Sequence, residues 1–163
     1  MPHGRIPARS GGNPGALAPH PRPALLRGRF VDVPTEWRLD DPEALPSIAA
    51  FFAGVPLGAT AFGWASGVVA GLGPAVVRLT RTQVALRHRI GFAWLWLPGA
   101  WLANRDAEVV LSLGLRQHLD SPRWKQVVEP YPGRWMHHLE VRDAADLDDE
   151  VAGWVAAAYD AAS

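Results

Sequence analysis

"VVRLTRTQVALRHRIGFAWLWLP" (76–98) decides the fold. Branched and aromatic side chains alternate with polar ones at a period of two, which is the signature of strands with one buried face. The breaks near Thr82 and Gly91 are too short for anything but tight connections, so 76–81, 83–90 and 92–97 are read as consecutive antiparallel strands.

Working outward, 108–116 and 134–142 repeat the pattern and bring the expected sheet to about five strands. Between them, "DSPRWKQVVEPYPG" (120–133) reads as one short helical turn, with Asp120 or Ser121 as cap and Pro122 at the first helical position. After the last strand, Leu147, Val151, Trp154, Val155 and Ala158 recur at helical spacing. They mark an amphipathic C-terminal helix with Asp146 as its expected N-cap.

On the N-terminal side the chain carries no charge from 44 to 77 and no acidic residue from 44 to 105. A membrane span would be long enough here, and Gly63, Gly67 and Gly71 have the spacing of close helix packing. Gly54, Pro56 and Gly58 interrupt the run, however, and no basic residue flanks its start. Two helices, 42–53 and 57–72, are the better reading. In the second, Leu57, Ala61, Trp64, Val68 and Leu72 form the expected core stripe.

Residues 1–29 hold six prolines, five glycines and five arginines, with no acid. Such a composition does not offset its ordering entropy, so 1–36 is read as a disordered tail with an extended lead-in, and 37–163 as one domain. The whole is an α+β fold: an antiparallel sheet of about five strands, with two N-terminal helices and one C-terminal amphipathic helix packed on it.

The 163 residues balance 16 basic against 16 acidic side chains, so any attraction for an anionic partner has to be local. With no cysteine, thiolate metal sites, thiol nucleophiles and disulfides are all excluded. No signal-peptide pattern opens the chain, which gives a cytoplasmic expectation. Phosphate loops, Gly-x-Ser-x-Gly and Gly-x-Gly-x-x-Gly are missing. No catalytic residue, metal ligand set or cofactor is therefore assigned.

"IGFAWLWLP" (90–98), "DSPRWKQVVEPYPGRWMHHLEV" (120–141) and "DAADLDDEVAGWVAAAYDAA" (143–162) resemble the bacterial domain-of-unknown-function family numbered 5655, over residues of about 45–162. More distantly, the layout of a helix, a meander with Phe-Ala, a further strand and a terminal helix ending in Tyr is similar to the MmcQ/YjbR-like family. Members of that second family have been proposed to bind DNA. The first resemblance implies a fold and no activity. The 44–77 stretch is poorer in charge than the resemblance implies, and the arginine-rich tail lies outside it.

Three constellations carry the functional expectations. Arg78, Arg87 and Arg89 fall on the polar face of adjacent strands with no acid nearby in sequence, and Trp94, Trp96 and Trp135 offer stacking partners. That suits an anionic partner such as nucleic acid. The competing reading is a solvated face balanced by the acids of the C-terminal helix. The second constellation is the pair "HH" (137–138), which strand parity divides: His138 joins the polar face beside Glu140, and His137 the apolar one with Trp135. His88 shares the apolar parity of its own strand, so His88 and His137 are the candidates for a small-molecule or enzymatic pocket, against the alternative of two structural core histidines. The third is an interaction surface on the apolar helices, with no chemistry of its own.

Overall fold

The computed structural model describes residues 35–98 and 107–163. The described residues belong to one unit, Asp32–Ser163. The expectation for the 1–36 tail lies outside the described residues up to 34.

Among the described residues seven strands form one sheet, not about five. They are β1 (Thr35–Arg38), β2 (Val76–Leu79), β3 (Gln83–Arg87), β4 (Gly91–Trp96), β5 (Val109–Leu115), β6 (Gln126–Tyr131) and β7 (Arg134–Val141). Their order is β1-β2-β3-β4-β5-β7-β6, and every neighbouring pair is antiparallel. The helices are α1 (Ala44–Phe51), α2 (Pro56–Ala70) and α3 (Asp149–Ala161).

The two extra strands have separate causes. β1 comes from the lead-in: Glu36 pairs with Arg78 and Trp37 with Val77, which places part of the expected tail at the sheet edge. β6 occupies the segment expected as a helical turn. Pro130 has no N–H to continue a helix, whereas an edge strand tolerates it, and the ladder to β7 slips between Val128 and Tyr131 around that proline. Pro132-Gly133 then closes the β6–β7 hairpin. Gly133 has φ 77°, the value a type II turn needs after proline.

The break at 54–58 ends one helix and starts the next, with Pro56 in the first turn of α2. Among the described residues, no helix is long and apolar enough to cross a membrane. The phase of α2 differs from expectation. Gly58, Ala61, Phe62, Ala65 and Val69 are buried, Trp64 and Val68 are only half-buried, and Leu72 is 40 % exposed. A helix apolar nearly all round shows its period clearly and its phase poorly. Gly63 and Gly67 lie on the exposed side, so they are not the packing face. Gly58 is: a Cβ there would collide with the Phe52 ring.

Asp148, rather than Asp146, caps α3 by accepting from the Val151 N–H. Asp146 instead closes a capping box with Asp143 around a 3-10 turn, Ala144–Asp146. Val151, Val155, Ala158 and Tyr159 of α3 join α1, α2 and the apolar parity of the strands in a single core. The other side of the sheet carries Ala85, Trp94, Trp96, Val110, Ser112 and His138, none of which belongs to that core.

Candidate functional site

Strand parity divides the histidine pair as expected, but both halves acquire roles that the sequence did not show. His137 is fully buried, and its Nε2 accepts the Leu119 N–H at 3.0 Å. Its ring meets Trp124, with centroids 5.0 Å apart. Nε2 is therefore unprotonated, and the neutral ring carries its hydrogen on Nδ1. Burial holds the His137 pKa below its ordinary value, with the carbonyls of Trp135 and Leu113 opposing part of that effect. The residue ties the 116–125 connection to the sheet, and this is a structural task.

His138 was expected as a solvated residue near Glu140. Instead its Nδ1 lies 2.7 Å from Ser112 Oγ, and the same oxygen accepts from Trp96 Nε1 at 2.9 Å. The indole N–H can only donate, so Ser112 Oγ accepts from Trp96, and it donates to His138 Nδ1 or accepts from it according to the imidazole tautomer. Burial, followed by the neighbouring His137, lowers the His138 pKa. Glu140 pairs with Lys125 and Arg142 instead. A serine beside an imidazole resembles a nucleophile with its base, but Ser112 is 2 % exposed at the centre of β5, where both neighbouring strands occupy its backbone. No spare backbone N–H is left beside it to stabilise an oxyanion.

The expected pairing of His88 with His137 does not form. His137 lies across from Leu113, Leu113 from Ala93, and Ala93 from Leu86. Three strand spacings, roughly 14 Å, therefore separate His137 from β3. His88 follows the end of β3, where a register shift between Leu86 and Arg87 breaks the parity of its strand. Ile90, two residues on and of the same parity, is exposed.

The arginines also separate. Arg78 Nε and Arg87 NH1 both face Glu36 Oε1, at 3.6 and 3.7 Å. Their counter-charge thus comes from β1 and not from α3, whose Asp148 and Glu150 take Arg123. The Arg123 guanidinium is held above its ordinary value by these two carboxylates. Arg89 is exposed beyond β3, with its backbone N–H on Ala162 O. Trp94 and Trp96 do lie on the sheet face that carries Arg78 and Arg87, as parity requires, while Trp135 is on the core side with its ring edge-on to His118.

What the fold does assemble is a groove of about 680 Å³ where the ends of β1 and β3 meet α2 and the Gly73–Val76 segment. Arg38, Asp40, Ser66, Pro74, Arg87 and His88 are among its walls. The His88 ring stacks on Tyr159 at 4.8 Å and 24°, and Tyr159 Oη donates to Pro74 O at 3.0 Å, which fixes that wall. His88 Nδ1 and Ser66 Oγ are sealed from solvent with no hydrogen-bond partner. Arg38 is engaged by Asp40 through two bonds of 3.1 and 3.0 Å. Arg87 has only the 3.7 Å approach of Glu36, too long for a hydrogen bond.

Residues 67–162 match the family model described as Domain of unknown function (DUF5655). The chain belongs to that family. The DUF5655 match starts within α2 rather than near residue 45, so it includes Arg87 and His88 but not Arg38, Asp40 or Ser66. It does not extend to the MmcQ/YjbR-like family, and the DNA binding proposed there carries no weight here. Neither a curated protein nor a solved structure matches the chain.

Proposed function

We propose that the protein is a non-enzymatic binding domain whose groove beside His88 takes a small anionic molecule. The observation that carries this reading is the juxtaposition in one groove of Arg87, whose guanidinium makes no hydrogen bond among the described residues, with His88 Nδ1 and Ser66 Oγ, two buried polar atoms without partners. Buried polar groups in folded proteins are normally satisfied, so the two sealed atoms mark an unfinished groove wall, and concave sites with a few convergent polar groups are where ligands bind. Arg87 supplies a fork of donors suited to a carboxylate or phosphate, while Leu39, Pro74 and Val76 offer apolar contact. The reading keeps Arg87 and His88 from the sequence-derived candidates and leaves out His137. Nucleic-acid tracking by the sheet face has less support, because Glu36 stands between Arg78 and Arg87.

Thermal unfolding with inorganic phosphate, citrate and adenosine monophosphate tests the proposal. A ligand present at about 100 times its Kd adds about 2.7 kcal/mol to stability, which a melting curve reads easily. At least one probe is expected to raise the midpoint, and Arg87→Ala to weaken its binding about tenfold, as loss of a charged hydrogen bond does. If no probe shifts the wild-type midpoint, or Arg87→Ala binds as tightly, the proposal is wrong.

A further inference from the structure

On the sheet face turned away from the helices, Arg134 is 7 % exposed, although it shares the polar parity of His138 and Glu140. It opens β7, reaches across β5 and donates from NH2 to the Gly91 carbonyl of β4 at 2.6 Å. The path is open because β5 has a glycine at the crossing: a Cβ on Gly114 would come within 2.6 Å of the guanidinium carbon. Gly91 is bare for a related reason, since a Cβ there would lie 2.7 Å from the Trp94 ring. Arg134 and Trp94 thus each take the space that a side chain on one of these two glycines would fill.

The guanidinium has five N–H donors, and one hydrogen bond accounts for its partners among the described residues. Among the described residues no carboxylate pairs with it. Glu140 holds Lys125 and Arg142, Glu129 accepts from the Gly133 N–H, and Glu36 faces Arg78 and Arg87. A charge withdrawn from water without a counter-ion is a large penalty that folded proteins avoid or put to use. A carbonyl oxygen accepts a hydrogen bond but does not neutralise the charge.

We infer that Arg134 anchors a second binding site, distinct from the His88 groove and independent of it, for the oxyanion of a small molecule whose apolar body contacts Trp94. Carboxylate and phosphate share the required geometry, two oxygens in the plane of the fork. The Trp94 ring favours a planar body over a bare ion.

The Nε–Hε resonance of Arg134 in nitrogen-15-labelled full-length protein reports the site directly. Sodium benzoate, sodium acetate and sodium phosphate are titrated separately, with sodium chloride as the ionic-strength control. A saturable shift is expected with benzoate or phosphate and not with chloride, and it should persist unchanged in Arg87→Ala, which weakens only the His88 groove. A response to benzoate and acetate alone assigns a carboxylate ligand, and a response to phosphate alone assigns a phosphate. Arg134→Gln should weaken binding at least tenfold. Should that variant fail to fold, Gly114→Ala keeps the cation but displaces it and should weaken binding as well. No saturable shift with any of the three anions, an equal shift with chloride, or undiminished binding by a folded Arg134→Gln variant would overturn the inference.

Discussion

The Leu119 amide donates to His137 Nε2 across 3.0 Å, so the connection between β5 and β6 hangs on the neutral form of one buried imidazole. Protonating Nε2 breaks that bond and places a charge in the core. His137 and His138 both have folded-state pKa values lowered from 6.5 by burial. Between the lowered values and 6.5 the unfolded chain binds more protons than the folded one, so stability rises with pH across that window. The stability these groups contribute is fully present above about pH 6.5 and is lost as pH falls through the folded values. Urea unfolding at intervals from pH 8 to pH 5 is expected to show this decline, and His137→Phe to flatten it. A decline of equal size in the variant would exclude His137 as a source.

Removing the ring altogether has a larger effect. His137→Ala leaves a cavity against Trp124 and an orphaned Leu119 N–H, which together cost about 2–4 kcal/mol. The expected readout is a lower urea midpoint with faster hydrogen exchange at Leu119.

Ser112 links Trp96 to His138, and Ser112→Ala leaves both without that partner at once. The expected destabilisation is about 1–3 kcal/mol, the usual penalty for orphaned buried polar groups. Urea unfolding checks the size, and an unchanged midpoint would show that these two hydrogen bonds contribute nothing to stability.

Glu36 controls how much free positive charge the sheet face presents. Glu36→Gln changes stability by less than about 1 kcal/mol, because pairs as exposed as these contribute little. It releases Arg78 and Arg87 together, and retention on a cation-exchange matrix at low salt should increase. Unchanged retention would mean that Glu36 does not screen them.

The alternation in 76–98 was enough to locate β2, β3 and β4, and parity correctly assigned His137 to the core side, whereas the grouping of Trp135 with Trp94 and Trp96 ignored it. Those are local properties of a strand, and local periodicity encodes them. β1 was hidden because four residues of a pairing edge look like any extended segment next to a proline-rich tail. β6 was hidden by the helix-start chemistry of Asp120-Ser121-Pro122, which forms a turn and goes no further: the Trp124 amide bonds Ser121 O and the chain then enters the strand. The site suffered more than the fold, since its partners are nonlocal. Glu36 is far in sequence from the arginines it meets, and His88 and His137 can be judged only with the strand order known. Arg134 looked like ordinary surface charge. The signal that could have found it was a pair of glycines inside strands, Gly91 and Gly114, since glycine there marks a close approach by some other group.

The central claim, that the groove beside His88 binds a small anion, is tested most directly by amide NMR of the wild-type protein titrated with citrate and with inorganic phosphate. The account expects the Ser66, Gly67, Ala75 and His88 amides to move together along one saturable curve with at least one of the two, and that curve to be weakened about tenfold in Arg87→Ala. Groove amides that stay fixed through both titrations in a folded protein would contradict it.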